Sequence, residues 1–149
     1  MQTKKELNQD TIILLSQVNS GCKMAIDSME QVGKSVDDKR LKDIITKYND
    51  EHIKLEETTH RILNDAGVSE QEPGLLAKTF ASVSASVKLM MKDDVHQAAG
   101  ILTDGCNMGI KTLCEYRNHY KAADEKSVNL CQQLCDVEDR MLAELKPLL

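Results

Sequence analysis

A chain of 149 residues is long enough to bury one core of its own, and with 41% hydrophobic and 29% charged residues it belongs with globular rather than disordered chains. Its 19 basic residues are scattered among 24 acidic ones, which argues against nucleic acid as a partner, and no apolar run approaches the roughly 18 residues of a membrane span. Five cysteines, an odd number with no CxxC spacing, exclude a disulfide framework, and together with the polar start MQTKKELNQD they lead us to expect a cytoplasmic protein with free thiols.

Trp is absent and Phe80, Tyr48, Tyr116 and Tyr120 are the only aromatic residues, so aliphatic and Met side chains must fill the core. That composition suits helix packing better than sheets. The apolar period is helical nearly throughout, and five segments result. The first is expected over residues 4–32, opened by a Thr3–Glu6 capping box and closed by Gly33. Leu15, Val18, Cys22, Ala25, Met29 and Val32 alternate spacings of three and four and mark its buried edge.

The second helix is expected to restart at Ser35 or Asp37 and reach Ala66, with Leu41, Ile45, Tyr48, His52, Leu55, Thr59 and Ile62 inward and Gly67 as a left-handed C-cap. A polar connection leads to Pro73, suited to a first helical turn, and to a third helix over 74–92. Ala77, Ala81, Ser82, Ser84, Ala85 and Ser86 would let that helix pack closely on two sides. The fourth follows an Asp94–Gln97 cap and runs to about Tyr120 through Val95, Ala99, Leu102, Cys106, Leu113 and Tyr116, weakened by Gly100, Gly105 and Gly109. The fifth spans 124–146, with Val128, Cys131, Leu134 or Cys135, Glu138, Met141 and Leu145 inward, and Pro147 stops it.

The expected fold is all-α and the whole chain, 1–149, is one domain. Helices one, two and four have about 28 residues each, roughly 42 Å at 1.5 Å per residue, and lie side by side as parts of two antiparallel hairpins. The third, shorter, carries the chain back along their length as a crossover. With its runs LKDIITKYNDEHIKLEETTHRILNDAG and GLLAKTFASVSASVKLMMKDDVHQAAGILTDG, the chain resembles the ferritin-like superfamily of antiparallel four-helix bundles, closest to small bacterial members of unknown function.

The resemblance implies a di-iron site made from one Glu on each of two helices and a Glu-x-x-His on each of the other two. The second helix holds a literal Glu57-x-x-His60 and an Asn49-x-x-His52 with Asn where a ligand carboxylate would stand, but residues 124–149 hold no His. Pairing the hairpins across their turns sets Asn19 and Cys22 opposite His52 and Asn49, and Cys106 and Gly109 near Glu138. The level of the expected metal site therefore reads as His52, Glu138, Cys22 and Cys106, too few carboxylates for two irons. Two readings stand for these four. Cys packs as a small hydrophobe while one His and one Glu satisfy each other, or the set is a remnant site whose imidazole, carboxylate and thiolates accept a single transition metal.

Other chemistry is missing. His60 with Glu56 and His52 forms a row at steps of four that reads as surface pairing. His119 beside Glu115 reads the same way, and Cys131 with Cys135, one turn apart, as buried packing. There is no GxSxG, GxxxxGK[ST], GxGxxG or HExxH. No catalytic residue is assigned and no cofactor is expected. The functional expectation is a non-enzymatic bundle with a degenerate di-iron site, acting through protein–protein contacts. The alternative is a metal-binding ferritin-like protein with a redox or storage role. Small residues and Met90-Met91 in the third helix, surplus to a four-helix core, predict a homodimer.

Overall fold

Among the described residues the chain forms five α-helices and no strand: α1 (Gln9–Ser35), α2 (Lys39–Asp65), α3 (Gly74–Leu89), α4 (Val95–His119) and α5 (Glu125–Leu145), followed by a 3-10 turn, Lys146–Leu148. The structure, a computed structural model, describes residues 6–68 and 74–149, with only the backbone of 74–80. The expected cap at Thr3 and the turn at Pro73 lie outside the described residues.

Four helices start where a short polar side chain replaces a missing backbone partner. Asn8 accepts from Thr11 N (2.8 Å), Asp38 from Leu41 N (3.0 Å), Asp94 from Gln97 N (3.0 Å) and Asp124 from Ser127 N (2.8 Å). Asn8 also corrects the first boundary. Its amide donates to Ala122 O at 2.8 Å and its backbone is extended, so the helix begins at Gln9 rather than near residue 4.

The other end of α1 runs past Gly33, which lies in the helix with Ile45 Cδ1 3.8 Å from the place of a Cβ, and stops at Ser35 where Val36 turns extended. Gly67, at φ 74°, closes α2 as its αL cap requires. α3 ends three residues before its expected limit because the chain turns at Asp93, φ 63°. That residue is held by its own N–H donating to Ser35 O (2.9 Å) and by its carboxylate accepting from Asp37 N (3.2 Å).

Contacts give the directions. α1 and α2 are antiparallel, with Asn19 against Thr59 and Gly33 against Ile45. α2 and α5 are antiparallel through Tyr48–Glu144, His52–Glu138 and Glu51–Arg140. α4 and α5 are antiparallel through Gly109–Glu138 and Arg117–Gln132. α1 and α5 run parallel, tied by Thr11–Asp124 at one end and packed at Gly21–Leu134 further along. α1 also packs on α4, so it touches every other helix.

Leu14, Leu15, Val18 and Val32 of α1, Leu41, Tyr48 and Leu63 of α2, Ala98, Ala99 and Leu102 of α4, and Leu134, Met141 and Leu145 of α5 make the core. The inner stripe of α2 drifts from expectation: Ile44 and Leu63 are buried, while Ile45 and Ile62 are only half-buried against them. α3 runs parallel to α1, joined by Gln31 Nε2 to Ser84 Oγ at 3.3 Å. It meets both α1 and α4, loosely over residues 81–89. No side chain between residues 81 and 89 is buried, and Leu89 and Met91 are 84% and 74% exposed.

Candidate functional site

His52 and Glu138 meet in the middle of the core. The inward stripe of α2 carries His52 to 0% exposure and that of α5 carries Glu138 to 6%. His52 Nδ1 lies 2.6 Å from Tyr48 O, which can only accept, so Nδ1 carries a proton. Nε2 then faces the Glu138 carboxylate and the two share a hydrogen bond. Burial opposes charge on the imidazole, but the hydrogen bond and charge of Glu138, helped by the Tyr48 carbonyl and Glu51, outweigh it and raise the His52 pKa. The pair is a hydrogen-bonded imidazole–carboxyl clamp between α2 and α5.

Cys22 and Cys106, both buried, lie close enough to Glu138 to feel its charge. Burial, then the Glu138 charge, then Glu56 push the Cys22 thiol far up. Burial raises Cys106 as well, as do the charge of Glu138 and a hydrogen bond to it, with Asp139 adding to the effect. Both stay as thiols, and the thiolate is the form that ligates metal. The structure thus brings the four expected residues into one neighbourhood.

The set does not fit two irons. It supplies one imidazole, both of whose nitrogens are engaged within the protein, and one carboxylate, where a di-iron centre takes four carboxylates and two imidazoles. Among the described residues no group of three or more His, Cys, Asp or Glu side chains is disposed to hold a metal ion.

The register of the first hairpin differs from expectation by about two helical turns. Asn19 does not face His52. Its Nδ2 donates to Glu56 O (3.2 Å), Glu56 Oε1 (3.3 Å) and Thr59 Oγ1 (3.1 Å). The cause is the continuation of α1 through Gly33, which moves the turn to residues 36–38. Gly109 falls where expected, 4.0 Å from Glu138 Cδ to the place of a Cβ.

A second group was not anticipated. Cys114 on α4 lies beside Cys131 and Cys135, one turn apart on α5, close enough for the three thiols to influence one another. Arg117 Nη2 stands 3.8 Å from Cys114 Sγ while its Nη1 donates to Gln132 Oε1 at 2.6 Å, and the Cys131 thiol faces Leu113 O at 3.7 Å. Its bond to Cys131, then burial, holds Cys135 far above the ordinary thiol range, and the same bond lowers Cys131 as the acceptor, with Arg117 helping. The hairpin register that put Cys106 near Glu138 also puts Cys114 between Cys131 and Cys135, and this was the signal available.

A cavity of about 90 Å³ lies between α1, α3, α4 and α5, one wall formed by Glu138 and much of the rest by Met24, Met29, Met108 and Met141. Gly21, Gly105 and Gly109 also line it, and glycine within a helix costs about 1 kcal/mol relative to alanine. A Cβ at Gly105 would meet nothing within 4 Å, and one at Gly21 would only touch Leu134 Cδ2 at 3.6 Å. Packing does not demand these glycines, and their absent side chains keep the space open.

Fold and site together define an all-helical protein with a self-neutralised polar centre and an adjoining apolar cavity, in which no helix among the described residues is long and apolar enough to cross a membrane. Comparison with models of known families, with curated proteins and with solved structures gives no match to this chain.

Proposed function

We propose that this is a ferritin-like bundle that lacks the di-iron centre and acts in the cytoplasm, without catalysis, through protein–protein contacts, its first partner a second copy of itself. The observation that carries the reading is the His52–Glu138 clamp, which occupies the level of the resembled metal site and consumes the ligand atoms of its own imidazole. Support for the ferritin-like arrangement comes from helix direction. α1 and α5 run one way, α2 and α4 the other, and α3, parallel to α1, leads toward the start of α4. Five free cysteines suit a reducing compartment. Leu89 and Met91, exposed where α3 ends, support the contact surface.

The test pairs elemental analysis of untagged protein with light scattering. Substoichiometric metal, with a dimer that Leu89→Lys and Met91→Lys convert to monomer, is expected. A di-iron stoichiometry overturns the reading, as does a monomer at high micromolar concentration. One metal per chain favours the alternative, a metal-binding protein with a redox or storage role, with His52, Glu138, Cys22 and Cys106 as its ligands.

A further inference from the structure

Of the five cysteines, three gather where α4 and α5 pass each other. Gly109 beside Glu138 and Arg117 Nη1 donating to Gln132 Oε1 at 2.6 Å set the register of this antiparallel pair. It places Cys114 opposite the turn of α5 that carries Cys131 and Cys135. Those two are 0% and 4% exposed, whereas Cys114 is half-buried and within reach of solvent. Among the described residues no three such groups converge to hold a metal ion, so the chemistry open to the cluster is that between two sulfurs.

Cys131 and Cys135 are poorly placed to join each other, since Cβ atoms one turn apart on a helix stand about 5–6 Å apart and a disulfide spans about 3.5–4.5 Å. The Cys131 thiol is turned toward Leu113 O at 3.7 Å. That leaves Cys135 for Cys114, and each of these two thiols shifts the titration of the other.

We propose that Cys114 is a site of oxidation by hydrogen peroxide and that Cys135 closes on it, so that a disulfide locks α4 to α5. The Cys114 sulfur attacks one peroxide oxygen, the O–O bond breaks, and the other oxygen leaves as water with the thiol proton, giving a sulfenic acid. The Cys135 sulfur then attacks that sulfur. The S–S bond forms, the S–O bond breaks, and hydroxide departs with the Cys135 proton as a second water. Two thiols together lose two electrons and one peroxide gains them.

Burial, then the charge of Cys135, hold Cys114 above the ordinary thiol range, while Arg117 Nη2 at 3.8 Å from its sulfur favours the thiolate that the first step needs. Closure is slower still. Its neighbour Cys131, then burial, keep Cys135 protonated, so it does not follow within the time of a thiol titration. The cluster therefore answers sustained rather than brief exposure to oxidant. The bond closes the loop of residues 114–135 and constrains the unfolded chain.

The full-length, untagged protein is held for hours with a small excess of hydrogen peroxide, unfolded in alkylating reagent, and read by intact mass and by peptide fragmentation without reductant. The expected product is a single chain lighter by two hydrogen atoms, with three of its five thiols still open to alkylation and one cross-link, Cys114 to Cys135. Its urea midpoint is expected to rise and to fall back on reduction. Cys131→Ser is expected to form the same bond, and Cys135→Ser to stop at the sulfenic acid, which dimedone traps on Cys114. The proposal is overturned if all five thiols remain, if the link runs to Cys131 or between chains, if the urea midpoint does not move, or if dimedone adds to another cysteine. Mapping of the wild-type product decides the matter should a serine variant not fold.

Discussion

Replacing Glu138 by leucine strands His52 with one satisfied nitrogen and one bare one in a place of 0% exposure. At pH 8 the ring is neutral in the variant, and the loss is that of a buried acceptor without its donor, about 2 kcal/mol. At pH 5 the ring must also shed a proton that it keeps in the unfolded chain, where its pKa is near 6.5, and at 1.36 kcal/mol per pH unit this adds about 2 kcal/mol. The expected cost is therefore about 2 kcal/mol at pH 8 and larger at pH 5, by about 2 kcal/mol from the variant's ring and further by the stability the wild type recovers below its folded pKa. The wild type shows the complementary behaviour. Because the folded pKa of His52 is raised, its contribution is complete below pH 6.5 and is lost as pH rises through the folded value. His52→Leu leaves the Glu138 carboxylate buried alone, at about 3 kcal/mol, whereas the double leucine variant, with neither charge, is expected within about 1 kcal/mol of wild type. Urea denaturation of the four proteins at the two pH values gives the cycle. Additive single costs, or an Glu138→Leu cost that is the same at both pH values, would refute the reasoning.

Gly100→Ala and Gly105→Ala are each expected to raise stability by about 0.5–1 kcal/mol, since neither new methyl meets an atom within 4 Å; a lower urea midpoint for either contradicts this. Asn8→Ala removes both the cap on Thr11 N and the tie to Ala122 O, and is expected to cost about 1–2 kcal/mol by thermal or urea unfolding, with a change below a few tenths counting against that role. In native protein a disulfide reagent is expected to titrate Cys114 alone, the half-buried thiol, while Cys22, Cys106, Cys131 and Cys135 react only after unfolding; rapid modification of a second thiol would show the core to be open.

Helix number and the inward placing of His52 and Glu138 were legible because apolar residues recur at helical spacing around them, and a polar residue on such a stripe stands out. The cap at Asp94 was legible for a similar reason, since a short acidic residue precedes an apolar period. Register was harder. Gly33 reads as a helix stop, yet its backbone is helical and it faces Ile45, so the first turn lies further along and Asn19 meets Glu56 and Thr59 instead of His52. Ile44 and Ile45 are adjacent apolar residues, and only the partner helix decides which is covered. Cys114 carried no periodic signal as a functional residue, because it acquires its partners from a facing helix.

α1 touches every other helix, and its parallel neighbour α5 reaches it through hydrogen bonds such as Asp124 N to Thr11 Oγ1, made across more than a hundred residues. During synthesis α1 and α2 can pair as soon as both have left the ribosome, but the faces of α1 that await α4 and α5 stay uncovered until those helices emerge. The nascent chain therefore passes through a sticky half-structure, and a ribosome stalled before residue 125 would hold a species prone to aggregate. Slowing elongation over the codons for α4 lengthens that exposure, while supplying α5 as a separate peptide would be expected to close it.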